Sequence, residues 1–373
     1  MELCPLSQLQ HRIRFGCPLP FSIRDRASRL ILAKNAVVAD EGQLEALIDR
    51  GAVVDLDELR GARAEVDAAA PEGMPALWRK LGDQLSRVLA GMPSPQAPDA
   101  LDEVARYLGA LVDRSPDVAL FGLVRPEFSE HTRYGALRSL HAATAGTLVA
   151  QRLGWAAGRR ETLVKAAFTM NLGMMALQER LSTQVKPPSP AQRASIQAHP
   201  VTSAATLRDS GVTDPEWLAA VTQHHERPGG RGYPAGTGDI HEMAQLLRIV
   251  DEYTAKLAAR ATRSVLAPAA AAQALAAQEP GNPFARALVD VLGPWPPGAL
   301  VRLEDGALGV VLQRGADPAR PRVGVLTTAD GTPLAEPVVR EAGEPAGHVT
   351  GAAPARGLRL RIQADRLFQG AGF

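Results

Sequence analysis

The chain has 373 residues, 46% of them hydrophobic and 22% charged, which is enough for a full core and for more than one unit of structure. Lysine and arginine total 41 against 40 for aspartate and glutamate, so the net charge of +1 excludes a global attraction to nucleic acid polymers or anionic membranes, and any anion binding must be local. Only Cys4 and Cys17 are present, and there is neither a signal-peptide pattern nor an apolar run of bilayer length, so the expectation is a cytoplasmic protein with two free thiols and no membrane insertion.

In chain order, Phe21–Arg24 and Leu30–Ala33 flank the polar turn Asp25–Ser28 and read as a hairpin. Glu41–Arg50 carries Leu44, Leu47 and Ile48 at helical spacing, Gly51 ends it, and Ala52–Asp55 reads as a third strand. These make a small αβ module over 1–65. Prolines 71, 75, 93, 95 and 98 surround a helical stretch, Leu77–Leu89, so 66–100 is expected to be a helical, proline-rich and mobile connector. From 101 to 280 the apolar spacing is helical throughout, in Leu101–Leu111, Leu137–Leu153 and Leu163–Leu181. Pro187–Pro190 divides that region, and Ser189 or Ser195 opens the helix that carries His199. Short β-branched runs at Leu300–Leu303, Leu308–Leu312, Val323–Leu326 and Val338–Val339 predict a small β domain over 290–345. A flexible C-terminal segment, 346–373, follows. The fold class is therefore mainly α, with a small N-terminal αβ module and a small C-terminal β module.

The feature richest in chemistry is His224-His225-Glu226-Arg227 running into Gly229, Gly230, Gly232, Tyr233 and Pro234. Neighbouring imidazoles, with His199 upstream and Asp251 downstream, form a nitrogen–oxygen donor set suited to iron, manganese or zinc. The alternative is structural: His224 caps a helix, His225 is a satisfied core residue and Asp251 pairs with Arg248. Spacing leaves both open.

The ordered pattern His224-His225-Glu226-Arg227, Gly230, Gly232-Tyr233-Pro234 and Ile249-Val250-Asp251-Glu252-Tyr253 resembles the HD-GYP family of metal-dependent cyclic di-GMP phosphodiesterases. His199-Pro200 with Ala204 and Leu207, and Tyr134 with Arg138-Ser139, extend the resemblance over roughly residues 125 to 270. It implies an HD-type helical bundle core and cyclic di-GMP or a signalling protein as partner; helical bundles of this kind often pair, so a homodimer is a further candidate. It also implies one divalent ion, or none, on His199, His224, His225 and Asp251. Gly230, Gly232, Tyr233 and Pro234 would then face the ligand, and Arg260 and Arg263 would clamp its phosphates.

Departures from the pattern are equally specific. Where the family has its His-Asp doublet in a run ending in Gly-Lys, this chain has Met170-Asn171-Leu172-Gly173-Met174. The histidine of the preceding helix is Arg138, with His141 as the alternative register, and the aspartate of the glycine-rich loop is Gly229. Thioether and amide are poor ligands for hard divalent ions, and a guanidinium favours an anion. The expectation is a degenerate HD-GYP-like protein without phosphodiesterase activity that binds nucleotide or protein; the alternative is an active phosphodiesterase with a reduced metal site.

Overall fold

The computed structural model describes residues 3–13, 15–17, 19, 21–33, 36–55, 61–125, 134–257, 266–317, 320–341, 347–353 and 364–369. Arg260 and Arg263 lie outside them. The fold is mainly α, a helical bundle with a small sheet toward each end of the chain.

At the N-terminal end, β1 (Leu3–Pro5), β2 (Ile23–Arg24), β3 (Leu30–Leu32) and β4 (Val53–Asp55) form an antiparallel sheet in the order β1-β4-β2-β3. Helix α1 (Glu41–Asp49) is capped by Asp40, whose carboxylate accepts from the Gln43 amide, and it buries Leu44 and Leu47 in this module's own core with Phe21, Ile23 and Val54. Cys4 and Cys17 are both free thiols.

The stretch expected to be a mobile connector belongs to the main core instead. Its helices α2 (Gly61–Ala68) and α3 (Met74–Ala90) bury Val66, Met74, Trp78, Leu81, Leu85 and Leu89 with the bundle. The physical reason is the amphipathic stripe of α3, where each fully buried leucine contributes about 1.5–3 kcal/mol. Prolines at the helix starts set boundaries without loosening the packing.

The bundle continues through α4 (Ala97–Arg114), α5 (Pro116–Val124), α6 (Tyr134–Arg152), α7 (Ala157–Thr169), α8 (Met175–Thr183), α9 (Pro190–Asp209), α10 (Pro215–Gln223), α11 (Glu242–Leu257), α12 (Pro268–Gln278) and α13 (Pro283–Leu292). The helical spacing read over Leu163–Leu181 is divided between α7 and α8 by a tight turn at Leu172–Met174. That break places Met170 and Asn171 in the interior.

Strands β5 (Leu300–Leu303), β6 (Leu308–Gln313), β7 (Arg322–Thr327), β8 (Pro333–Arg340) and β9 (Val349–Ala352) form an antiparallel sheet in the order β8-β7-β6-β5-β9. Alternate residues of β6 serve different cores: Val310 and Leu312 join the bundle, whereas Val311 packs with Val301, Val323 and Val325. The segment expected to be flexible, 346–373, contributes β9 and helix α14 (Ala364–Gln369). Leu367 and Phe368 are buried in the bundle core, with the Phe368 ring edge-on to Phe121 at 5.1 Å. A buried apolar pair on a short helix thus anchors the end of a polar stretch that gave no periodic signal.

Candidate functional site

His199 sits in the middle of α9, whose start is fixed by a capping box: the Ser189 hydroxyl accepts from the Gln192 amide, and the Gln192 side chain accepts from the Ser189 amide. Pro200 has no N–H, so it cannot donate to the carbonyl of Ile196 one turn earlier. That carbonyl lies 2.5 Å from His199 Nδ1. Because a carbonyl only accepts, Nδ1 carries the proton and Nε2 presents its lone pair. His224, at the end of α10, repeats the device, with Nδ1 2.7 Å from the carbonyl of Val221 in the last helical turn, where carbonyls lack a following amide. Both rings are oriented by backbone acceptors in the manner of metal-binding histidines.

The two Nε2 atoms face one another at 3.0 Å, and His225 completes the group, with one ligand atom from each of the three rings lying within 4.8 Å of the others. The His225 Nε2 atom is buried with no hydrogen-bond partner. Burial, and secondarily the neighbouring histidines, push all three imidazoles down from 6.5 to about 3. They are neutral at pH 7, so no proton has to leave before an ion is bound. Preset tautomers, an orphaned buried nitrogen and a neutral three-imidazole donor set all fit a divalent metal ion.

The glycine-rich loop holds His225 in place. A Cβ on Gly232 would come within 2.4 Å of the Arg227 nitrogen and within 2.5 Å of the His225 carbonyl, so the chain folds back on itself there as only glycine allows. The turn carries Tyr233 onto His225, with ring centroids 4.6 Å apart and 23° between the planes. Gly229 and Gly230 both have positive φ. Glu226 closes the loop: Oε1 accepts from the amides of Ala235 at 2.7 Å and Gly236 at 3.1 Å. Sequence reasoning assigned no role to Glu226, although an acidic side chain entering a turn rich in free amides is a recognisable signal.

Asp251 does not join the histidines. Arg138, on α6, donates from Nη2 to Asp251 Oδ1 at 2.8 Å and to the Asp251 carbonyl at 3.3 Å. The pair is buried, with 5% and 13% of the two side chains exposed. Asp251 nevertheless acts electrostatically on His199, His224 and Tyr233. His141, one turn from Arg138, bonds instead to the backbone at Gly122 in α5, so Arg138 is the residue of α6 that meets Asp251. Arg248, the partner considered for Asp251, forks onto Glu279 at 2.6 and 2.9 Å. Arg227 joins that network through Glu252.

Behind the histidines, the Gly173 amide donates to Ser203 Oγ at 2.9 Å, and that hydroxyl donates to the Met170 carbonyl at 2.9 Å. A Cβ on Gly173 would stand 2.9 Å from the His199 carbonyl, so the 170–174 turn is packed directly on the histidine-bearing helix. Met170 is core filling and Met174 is half-buried. Asn171 is buried with neither amide nitrogen nor amide oxygen partnered.

Residues 124–281 match the sequence profile of an HD domain. The cyclic di-GMP phosphodiesterase PA4108 of Pseudomonas aeruginosa is 29% identical over 251 residues, which are 65% of this chain and 58% of that protein. The chain thus spans little more than half the length of this curated relative. Among solved structures, Bd1817, an HDG"Y"P protein from Bdellovibrio bacteriovorus, is similar with a TM-score of 0.49 and 16% identity, covering 78% of this chain and 99% of that one. The helical region at 124–281 is thus similar to HD domains, and over a longer stretch the chain is similar to a cyclic di-GMP phosphodiesterase.

Proposed function

We propose that the chain is a degenerate HD-GYP module that takes part in cyclic di-GMP signalling by binding the nucleotide or a protein partner without hydrolysing it. One observation carries this reading. Among the described residues the three histidines gather no carboxylate, because Asp251 is held by Arg138 and a neutral Asn171 stands in the turn behind His199. In a two-metal site a bridging carboxylate holds both ions together and orients the attacking oxygen, and the neutral Asn171 has no charge with which to do so. Met170, Met174 and Gly229 supply none.

On this reading His199, His224 and His225 would hold one divalent ion, which would supply a Lewis-acidic contact for a ligand oxygen. Gly230, Gly232, Tyr233 and Pro234 would present the ligand-facing loop, and Arg260 and Arg263 would add positive charge for phosphates. No helix among the described residues is long and apolar enough to cross a membrane, which suits a cytoplasmic module acting alone or as a pair. The test is calorimetric titration of the purified protein with cyclic di-GMP, alongside a hydrolysis assay with manganese or iron(II). Binding without turnover is expected.

A second reading, an active phosphodiesterase with a reduced site, is favoured by one fact: the preset tautomers of His199 and His224 survive intact. Turnover that disappears in His225→Ala would establish it.

A further inference from the structure

We propose that Arg138 is an oxyanion-binding residue whose occupation hands Asp251 to the histidine cluster, so that a phosphate-class anion and a divalent metal ion bind cooperatively. The inference rests on the reading of His199, His224 and His225 as ligands of one ion.

Three observations carry it. Arg138 reaches Asp251 through Nη2 alone, on Oδ1 and on the backbone carbonyl, without the two-nitrogen fork a guanidinium can make onto one carboxylate, and its Nη1 is buried with no partner. A second buried polar side chain, Asn171, has both amide atoms unpartnered, in a turn packed on the histidine-bearing helix. Unmade hydrogen bonds of this kind are costly in a folded interior and mark the place a ligand would complete. The third observation is the position of Asp251. Its oxygens lie outside the ligand group formed by the three imidazoles. The carboxylate is held instead by the ion pair with Arg138.

A phosphate dianion offers Arg138 the two-point acceptor that Asp251 does not use. Arg138 then exchanges one anion for another. Asp251, released, is left beside three neutral imidazoles, where an anionic oxygen completes a three-nitrogen, one-oxygen donor set for a divalent ion. Each ligand removes a cost the other would pay, so the coupling is reciprocal.

The test is titration of the full chain with manganese(II), with free ion read by electron paramagnetic resonance, in the absence and presence of inorganic phosphate. A second arm uses guanosine 5′-monophosphate, and protein-free controls correct for manganese–phosphate association. Phosphate should tighten manganese binding about tenfold, within the usual range of coupling between sites. Stronger coupling with the nucleotide assigns the phosphate group to a nucleotide rather than to the free anion. In Arg138→Met, manganese should bind tightly without phosphate, and phosphate should add nothing. In Asp251→Asn, whose amide oxygen still accepts from Arg138, phosphate should bind without affecting manganese; this variant decides the matter should Arg138→Met not fold. A wild-type manganese affinity unmoved by either anion, or coupling that persists in Asp251→Asn, overturns the proposal. Absence of any manganese binding by the wild type overturns the metal reading itself, a separate result from binding without coupling.

Discussion

Replacing Pro200 by alanine should separate two roles that the histidine helix combines. Proline at this position leaves the Ile196 carbonyl without its usual amide donor, and His199 Nδ1 takes that acceptor at 2.5 Å. In Pro200→Ala the new N–H competes for the same carbonyl and loosens the hydrogen bond that fixes ring orientation and tautomer. Four effects set the change in stability. A restored helical hydrogen bond gains about 1 kcal/mol. Greater freedom of the unfolded chain costs about 0.7 kcal/mol, and loss of two buried methylenes costs about 1.6 kcal/mol. Relief of the ring's clash with the preceding turn, part of the roughly 3 kcal/mol that an interior proline costs, offsets these losses, so the net change in stability stays within about 1 kcal/mol. Metal affinity is the clearer readout. Losing an outer partner of a ligating histidine costs about 10–100-fold, and the carbonyl's second lone pair puts this case near the lower figure. Thermal unfolding and manganese titration on the same sample make the comparison. An unchanged manganese affinity in a folded Pro200→Ala protein would refute the argument that the freed carbonyl orients His199.

Three further outcomes follow from the same geometry. Gly232→Ala forces a methyl into backbone at 2.4 Å, so it should cost about 1–3 kcal/mol and displace Tyr233 from His225, weakening metal binding, whereas a Gly229→Ala methyl meets nothing closer than the Arg231 side chain at 3.8 Å and should cost only the left-handed conformation, about 1–2 kcal/mol, with metal affinity retained; equal metal affinities in the two variants would contradict this. Because the fold holds His199, His224 and His225 neutral, with values lowered from 6.5 to about 3, the metal-free protein has their full contribution above pH 6.5 and loses it as pH falls toward 3, at up to about 1.4 kcal/mol per pH unit for each histidine. Chemical denaturation at pH 7, 6 and 5 should show the decline, and a flat profile would rule it out. Arg248→Met leaves Glu279, which the guanidinium holds below the usual carboxylate range, without its two-point partner; a loss of about 3–5 kcal/mol is expected in thermal unfolding, and a loss below about 1 kcal/mol would show the network to be dispensable.

Much of the site was legible in sequence because its parts are local. His224 and His225 are neighbours, His199-Pro200 carries its own orienting device, and Gly232 is required by a turn only seven residues beyond His225. What sequence could not place is long-range. Asp251 has the right chemistry for a ligand, and only the approach of α6 to α11, 113 residues apart in the chain, shows that Arg138 claims it. The Arg248–Glu279 pair was hidden for the same reason, since sequence proximity favoured Asp251 as the partner of Arg248. The helical content of 101–280 followed from periodicity, but the break at 172–174 did not, because Leu172, Met174 and Met175 sustain an apolar pattern through a turn set by packing of Gly173 against α9. At the C-terminal end, β9 and α14 carry few apolar residues, and their order comes from contacts with β5 and Phe121 that lie far away in sequence.

We propose that the histidine cluster persists without phosphodiesterase activity. The measurement that meets it most directly is a cyclic di-GMP hydrolysis assay on protein loaded with manganese or iron(II) under anaerobic conditions, with bound metal counted on the same sample. The account predicts one ion per chain, removed by His199→Ala or His225→Ala, and no linear dinucleotide product. Two ions per chain with turnover that His225→Ala abolishes would contradict it.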